Sequence, residues 1–138
     1  MPRARLAVTA ALVAACFLQA PGRVVPETKL DLVVDPGRFL GRALHLWDAG
    51  AGFGRVGNQS AGYLLPMGPF HLAGDMLGVP AWVVQRAWFA LLLVAALWGA
   101  DRLLAALGIG TPGTRLLGAA AYALAPSFTA VTAVAILP

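Results

Sequence analysis

Hydrophobic positions fall into three apolar blocks, separated by one long segment of mixed character. Leu6–Ala20 is almost wholly apolar and follows Arg3 and Arg5, the pattern of an uncleaved signal anchor that makes residues 1–22 a first membrane helix. Its core is short against the about 20 residues a span needs, so Gln19 to Val25 must finish the crossing. Two cleaved alternatives stand beside it. Cleavage after Ala20 would put Leu18 where a small residue is wanted. A lipoprotein-type match, Val13-Ala14-Ala15-Cys16, would need a soluble chain after the cysteine. Residues 79–100 predict a second membrane helix, with Trp82, Trp88 and Trp98 towards its ends and Asp101-Arg102 closing it. Residues 101–115 form a short connection. Residues 116–138 predict a third span, rich in small residues that suit close helix packing and interrupted at Pro126.

The first loop, residues 23–78, alternates differently. Pro36–Trp47 sets Phe39, Leu40, Ala43, Leu44 and Trp47 at helical spacing, with Arg38, Arg42 and His45 between them. This predicts an amphipathic helix over 36–47, suited to a membrane interface. Asp35 before Pro36 is a helix-start signature, with Asp at the N-cap and Pro at the first helical position. Gly62–Val79 is apolar but broken by Pro66, Gly68, Pro69, Gly74 and Asp75. It predicts a short, half-buried or re-entrant piece rather than a span.

Composition confirms the class. The chain has 138 residues, 59% hydrophobic and 12% charged, with mean hydropathy +0.77. Soluble domains have about 45–50% apolar and about 25% charged residues. The formal charge is +4, but the basic residues occur as scattered singles, which excludes a nucleic-acid-binding surface and leaves topology as their main role. Arg3, Arg5, Arg102 and Arg115 belong on one side, taken as cytoplasmic, which places loop 23–78 outside. Arg23, Lys29, Arg38, Arg42 and Arg55 within that loop count against this orientation. The single Cys16 permits no intrachain disulfide.

Most motifs carry little chemistry. Gly52-Phe53-Gly54-Arg55-Val56-Gly57 matches GxGxxG, but it lacks the preceding strand and following helix of a dinucleotide site and reads as a glycine turn. Asn58-Gln59-Ser60 matches a glycosylation triplet that is common by chance. His71 and Asp75 alone are too few for a metal centre, which needs three or four ligands; with His45 as a third, zinc stays an alternative to local hydrogen bonding or an interfacial position, and no metal is predicted. The acidic residues are more informative: Glu27, Asp31 and Asp35 are half of the chain's six. Asp35 is a helix cap. Asp31 lies within the apolar run Leu30–Val34, where a carboxylate is costly unless paired or used. Lys29 and Arg86 are its candidate partners. Asp31 and Glu27 are therefore either functional carboxylates or members of a salt bridge that locks the loop.

The run PETKLDLVVDPGRFLGRALHLWD, then GRVGNQSAGYLLPMGPFHLAGDMLGVPAWVVQRAWFALLL, then ALGIGTPGTRLLGAAAYALAP, resembles the N-terminal part of actinobacterial alpha-(1->3)-arabinofuranosyltransferases of the AftD type. The resemblance implies an all-α membrane protein. It would comprise the first helices of a polytopic GT-C fold, with about three spans and an interfacial helix in the first external loop. It also implies a much longer parent, a multi-pass glycosyltransferase of the plasma membrane, without which this piece is not expected to be active. The implied donor is a polyprenyl-phosphate arabinofuranose and the acceptor is cell-envelope arabinan. The implied partners are the bilayer and the parent's remaining helices, and no cofactor is assigned. The GT-C pattern puts an essential carboxylate in the first external loop, here Asp31 with Glu27 as helper. Lys29, Arg38, Arg42 and Arg86 are then candidates for the donor phosphate, and Asn58, Gln59 and Tyr63 for the sugar. Two other classes remain open: a non-catalytic membrane subunit or anchor, and a transporter fragment in which Asp31 and Arg86 form an intramembrane pair.

Overall fold

Long apolar runs with few charges favour backbone that satisfies its own hydrogen bonds within each segment. The computed structural model of the protein is accordingly mostly helical. It describes residues 2–18, 20–25, 29–50, 53–56 and 61–125. In chain order the elements are α1 (Pro2–Leu18), α2 (Leu30–Val34), α3 (Pro36–Ala43), β1 (Trp47–Asp48), β2 (Arg55–Val56), a 3-10 turn at Ala61–Tyr63, α4 (Met67–Met76), α5 (Ala81–Ala106) and α6 (Pro112–Ala123). The chain divides into two compact units. One comprises residues 1–23 with 86–138, and the other Val24–Gln85.

The first unit is built on α5. Its 26 residues reach about 39 Å at 1.5 Å per residue, more than the ~30 Å hydrocarbon core of a bilayer. Among the described residues it is the one helix long and apolar enough to cross a membrane. It does not stop at residue 100 as predicted but runs through Asp101 and Arg102 to Ala106. The reason is nonlocal: Asp101 is buried and forms a salt bridge with Arg5 of α1, so its charge is compensated inside the helix. Trp98 Nε1 donates to Thr9 Oγ1 at 2.9 Å, and the guanidinium groups of Arg5 and Arg102 lie 5.9 and 5.7 Å from the Trp98 ring centre. Leu12, Phe89, Leu93, Leu97, Ala119 and Ala123 are among the buried apolar side chains of this unit.

The other boundaries of this unit also shift. α1 ends at Leu18, and the chain turns at Ala20–Arg23 instead of continuing a crossing to Val25. The predicted connection 101–115 shrinks to Leu107–Thr111, because α6 starts at Pro112 rather than 116. Thr111 and Thr114 form a capping box, with Thr111 N–H donating to Thr114 Oγ1 at 2.8 Å, and Pro112 supplies a first-turn residue that needs no N–H partner. Residues 126–138, including Pro126 and the rest of the predicted third span, lie outside the described residues.

In the second unit Asp35 caps α3 as predicted: its Oδ1 accepts from the Arg38 N–H at 2.9 Å, with Pro36 next in line. The apolar side of α3 faces protein. Phe39 is buried and meets the Tyr63 ring edge-on, with ring centres 6.3 Å apart. Leu40 approaches Gly68 of α4, where a Cβ would come within 2.9 Å of the Tyr63 carbonyl oxygen, so glycine permits that close approach.

α3 ends at Ala43, not at Trp47 as the spacing predicts. Trp47 and Asp48 pair instead with Val56 and Arg55 in a short antiparallel hairpin, and that pairing takes them out of the helix. Gly54, at φ +90°, lies under the Trp47 indole, where any Cβ would collide with the ring. The GxGxxG pattern thus contributes a hairpin turn, while Gly52 and Gly57 lie outside the described residues. α4 is only ten residues, about 15 Å, too short to cross a bilayer. At the unit's end, buried Gln85 clamps Val25. Its Oε1 accepts from Val25 N–H at 2.8 Å and its Nε2 donates to Val25 O at 3.0 Å.

Candidate functional site: a charged cleft in the Val24–Gln85 unit

The five residues of α2 bury Leu32 and Val33, and this leaves Asp31 on the outer side of the turn. There its carboxylate meets Arg42, presented by the last turn of α3, with Arg42 Nη2 2.7 Å from Asp31 Oδ2. Both side chains stay about half exposed, 48% for Asp31 and 43% for Arg42. Such a pair contributes little to stability, at most about 1 kcal/mol. The carboxylate is therefore not a buried charge in need of rescue, and within its unit it pairs with Arg42, a partner that was not expected.

The pair forms one wall of a small cleft of about 70 Å³ lined by Lys29, Asp31, Phe39, Arg42, Ala43, His45, Asp48 and Arg55. Three cations, two carboxylates and an imidazole thus converge from α2, α3 and the hairpin. Asp48 Oδ1 accepts from Gly50 N–H at 3.0 Å, which fixes its side chain at the start of the turn. The Lys29 ammonium sits 5.9 Å from the centre of the Tyr63 ring, a cation–π distance, and that ring in turn packs on Phe39.

The structure brings Asp31, Lys29 and Arg42 together and sets Tyr63 against Lys29. Arg38 is exposed on α3, contributes its backbone N–H to the Asp35 cap, and is absent from the cleft lining. Arg86 is buried in α5 and belongs to the other unit. Glu27, Asn58 and Gln59 lie outside the described residues. Asp48 and Arg55 were not legible as site residues, because only the hairpin register, Asp48 opposite Arg55, brings them to the cleft.

A second, smaller cavity of about 30 Å³ is lined by Val33, His71, Asp75, Val79, Ala81 and Val84. His71 is buried there with Nε2 lacking a hydrogen-bond partner among the described residues, and burial pushes its pKa below the ordinary histidine value. Chemically the larger cleft is the more capable of the two. A carboxylate has about four lone-pair positions, so one hydrogen bond from Arg42 leaves Asp31 able to accept a proton from a hydroxyl group. Lys29, Arg42 and Arg55 provide the charge to hold an anion beside it.

A helical chain with a membrane-length helix and a carboxylate-and-cation cleft in the loop before it fits the GT-C class of glycosyltransferases. The family model described as "Alpha-(1->3)-arabinofuranosyltransferase, N-terminal GT-C domain" matches residues 11–136, and the chain belongs to that family. It is 54% identical over 119 residues to the alpha-(1->3)-arabinofuranosyltransferase of Mycolicibacterium smegmatis and 50% identical over 119 residues to that of Mycobacterium tuberculosis. Each alignment covers 86% of this chain and 8% of the relative, so the chain spans less than a tenth of their length. Among solved structures, it is similar to a cryo-EM structure of the arabinofuranosyltransferase AftD from Mycobacteria, with TM-score 0.84 and 49% identity over 91% of this chain and 10% of that one. A variant of that protein gives TM-score 0.87 and 46% identity over 99% of this chain and 11% of the other.

Proposed function

We propose that this chain forms the N-terminal part of the GT-C domain of a membrane glycosyltransferase, which moves arabinofuranose from a polyprenyl-phosphate donor to cell-envelope arabinan. Family membership supports the sugar chemistry. The observation that carries the site is the exposed Asp31 carboxylate, held by Arg42 and flanked by Lys29 and Arg55 in one cleft. On this reading α1, α5 and the segment beginning with α6 are membrane helices, the N-terminus is cytoplasmic, and the Val24–Gln85 region is the first external loop. Family membership favours this reading over the transporter alternative.

The reaction is a single displacement. Asp31 takes the proton from an acceptor hydroxyl as that oxygen attacks the anomeric carbon. The bond from that carbon to the phosphate oxygen breaks, the electron pair leaves with the lipid phosphate, and configuration inverts. Lys29 and Arg42 stabilise the departing phosphate, joined by Arg55, with Arg38 and Arg86 as further candidates. Tyr63, braced by Phe39 and Lys29, offers a face for the furanose, together with Asn58 and Gln59. Glu27 is the second candidate base.

The test is Asp31→Asn in the full-length parent, assayed for transfer from the lipid-linked donor after normal membrane insertion has been shown. A general base contributes about 10²–10⁴-fold, and a rate loss of that order is expected. Unimpaired transfer would remove Asp31 from the role and pass it to Glu27.

A further inference from the structure

Sequence spacing assigns the membrane surface to the apolar face of helix 36–47, but the Phe39 and Leu40 part of that face is already occupied. Phe39 is buried and Leu40 packs on Gly68. Further along, in the turn after α3 and in the hairpin, Leu44, Leu46, Trp47, Phe53 and Val56 form an exposed apolar set that includes the unit's exposed Trp and Phe, while Leu30, Val34, Leu65, Met76 and Leu77 are exposed elsewhere in the unit. Trp47 rests on Gly54, so its indole is held in place and yet remains largely exposed. Phe53 is fully exposed, and it holds a left-handed backbone conformation, φ 63°, that a bulky residue rarely adopts. Nothing among the described residues of the chain covers that ring.

We infer that the β1–β2 hairpin, with Trp47, Phe53 and Val56, is the element by which this unit enters the interface of a bilayer that carries anionic headgroups. Three observations favour a lipid occupant over a protein one. The first is side-chain type: Trp and Phe side by side with aliphatic residues are the set that partitions to the headgroup boundary. The second is charge: the hairpin's own exposed Arg55 stands next to Val56 and Gly54, and the adjoining cleft, with Lys29, Arg42 and Arg55 against Asp31 and Asp48, carries a net positive charge complementary to anionic lipid phosphates. The third is context, since the same chain carries a helix of membrane-spanning length and composition. Arg55 then has a double place, lining the cleft that holds Asp31 and standing beside the apolar residues that dip into lipid. The inference rests on the membrane reading of the chain and is independent of which carboxylate acts as base.

The experiment uses the full-length parent in a cysteine-free background, with Phe53→Cys carrying an environment-sensitive fluorophore. It is reconstituted in nanodiscs of phosphatidylcholine, with and without phosphatidylglycerol. Acyl-brominated lipids are expected to remove most of the emission, aqueous iodide little of it, and phosphatidylglycerol should strengthen the lipid quenching. Val56→Cys is labelled in parallel, so that the result does not hang on one position. Quenching by iodide but not by brominated lipid would overturn the inference, because the hairpin would then be in water. Protection from both quenchers would overturn it too, because a protein surface would then cover the tip. Transfer activity on the same samples keeps the two readings apart: full activity without lipid quenching removes the hairpin anchor and leaves Asp31 in place.

Discussion

The two units use the same charged residue types in opposite ways. In the unit of residues 1–23 and 86–138, Asp101 is buried and locked to Arg5, with Trp98 and Thr9 completing a polar cluster inside apolar helices. In the Val24–Gln85 unit, Asp31 and Arg42 form an equally direct ion pair, yet both remain half exposed and line a cleft with Lys29, His45, Asp48 and Arg55. The first pair holds helices together where an unmatched charge would be very costly. The second adds little stability and leaves its carboxylate open to solvent. An acidic residue in an apolar run is therefore not by itself a sign of chemistry, because Asp31 and Asp101 both fit that description. Solvent access separates them.

That contrast can be broken at several points. Asp101→Ala should have the largest structural effect. It leaves Arg5 without its carboxylate partner and should cost about 1.5–3 kcal/mol, the scale of a lost charged hydrogen bond, because Arg5 itself still reaches solvent. Thermal denaturation of the detergent-solubilised parent measures it, and transfer per folded molecule should be retained. Gly74→Ala comes next. A Cβ there would lie 2.9 Å from Val84 Cγ1, with a second Val84 methyl nearer still. The overpacking should cost about 1–3 kcal/mol in the same assay.

Asp35→Ala is smaller, about 1 kcal/mol for a lost N-cap, with substantial transfer kept because Asp35 is absent from the cleft lining and its side chain caps α3 by accepting from Arg38 N–H. Complete loss of transfer would reverse the assignment of Asp35 and Asp31. The smallest effect is expected from acid. Burial favours neutral His71 in the folded state, so its folded pKa lies below the unfolded value of about 6.5. The unfolded chain then binds more protons on acidification, and stability should fall as pH drops below about 6.5. The loss should continue until the pH is below the folded value. His71→Gln should flatten that part of a melting-temperature profile against pH.

Local signals were legible in the sequence and nonlocal ones were not. Asp35-Pro36 announces the start of α3 because cap and helix are neighbours in the chain. Thr111-Pro112 carries the same signature at α6, but the surrounding glycines made it read as a connection. The end of α3 could not be read, because a strand pair at Trp47 and Asp48 overrides the helical spacing of Leu44 and Trp47. Nor could the passage of α5 through Asp101, since its partner Arg5 is at the other end of the chain. The candidate site divides in the same way. Asp31, Lys29 and Arg42 stand out as charges in an apolar setting, whereas Asp48 and Arg55 reach the cleft only through the hairpin register.

The most direct measurement compares Asp31→Asn with Asp101→Ala in the full-length parent, reading melting temperature and transfer per inserted molecule on the same samples. The division of labour described above predicts that Asp31→Asn lowers transfer by about 10²–10⁴-fold with little change in melting temperature, while Asp101→Ala does the opposite. Transfer within a few-fold of the parent for Asp31→Asn, or a matching loss of stability in that variant, would contradict it.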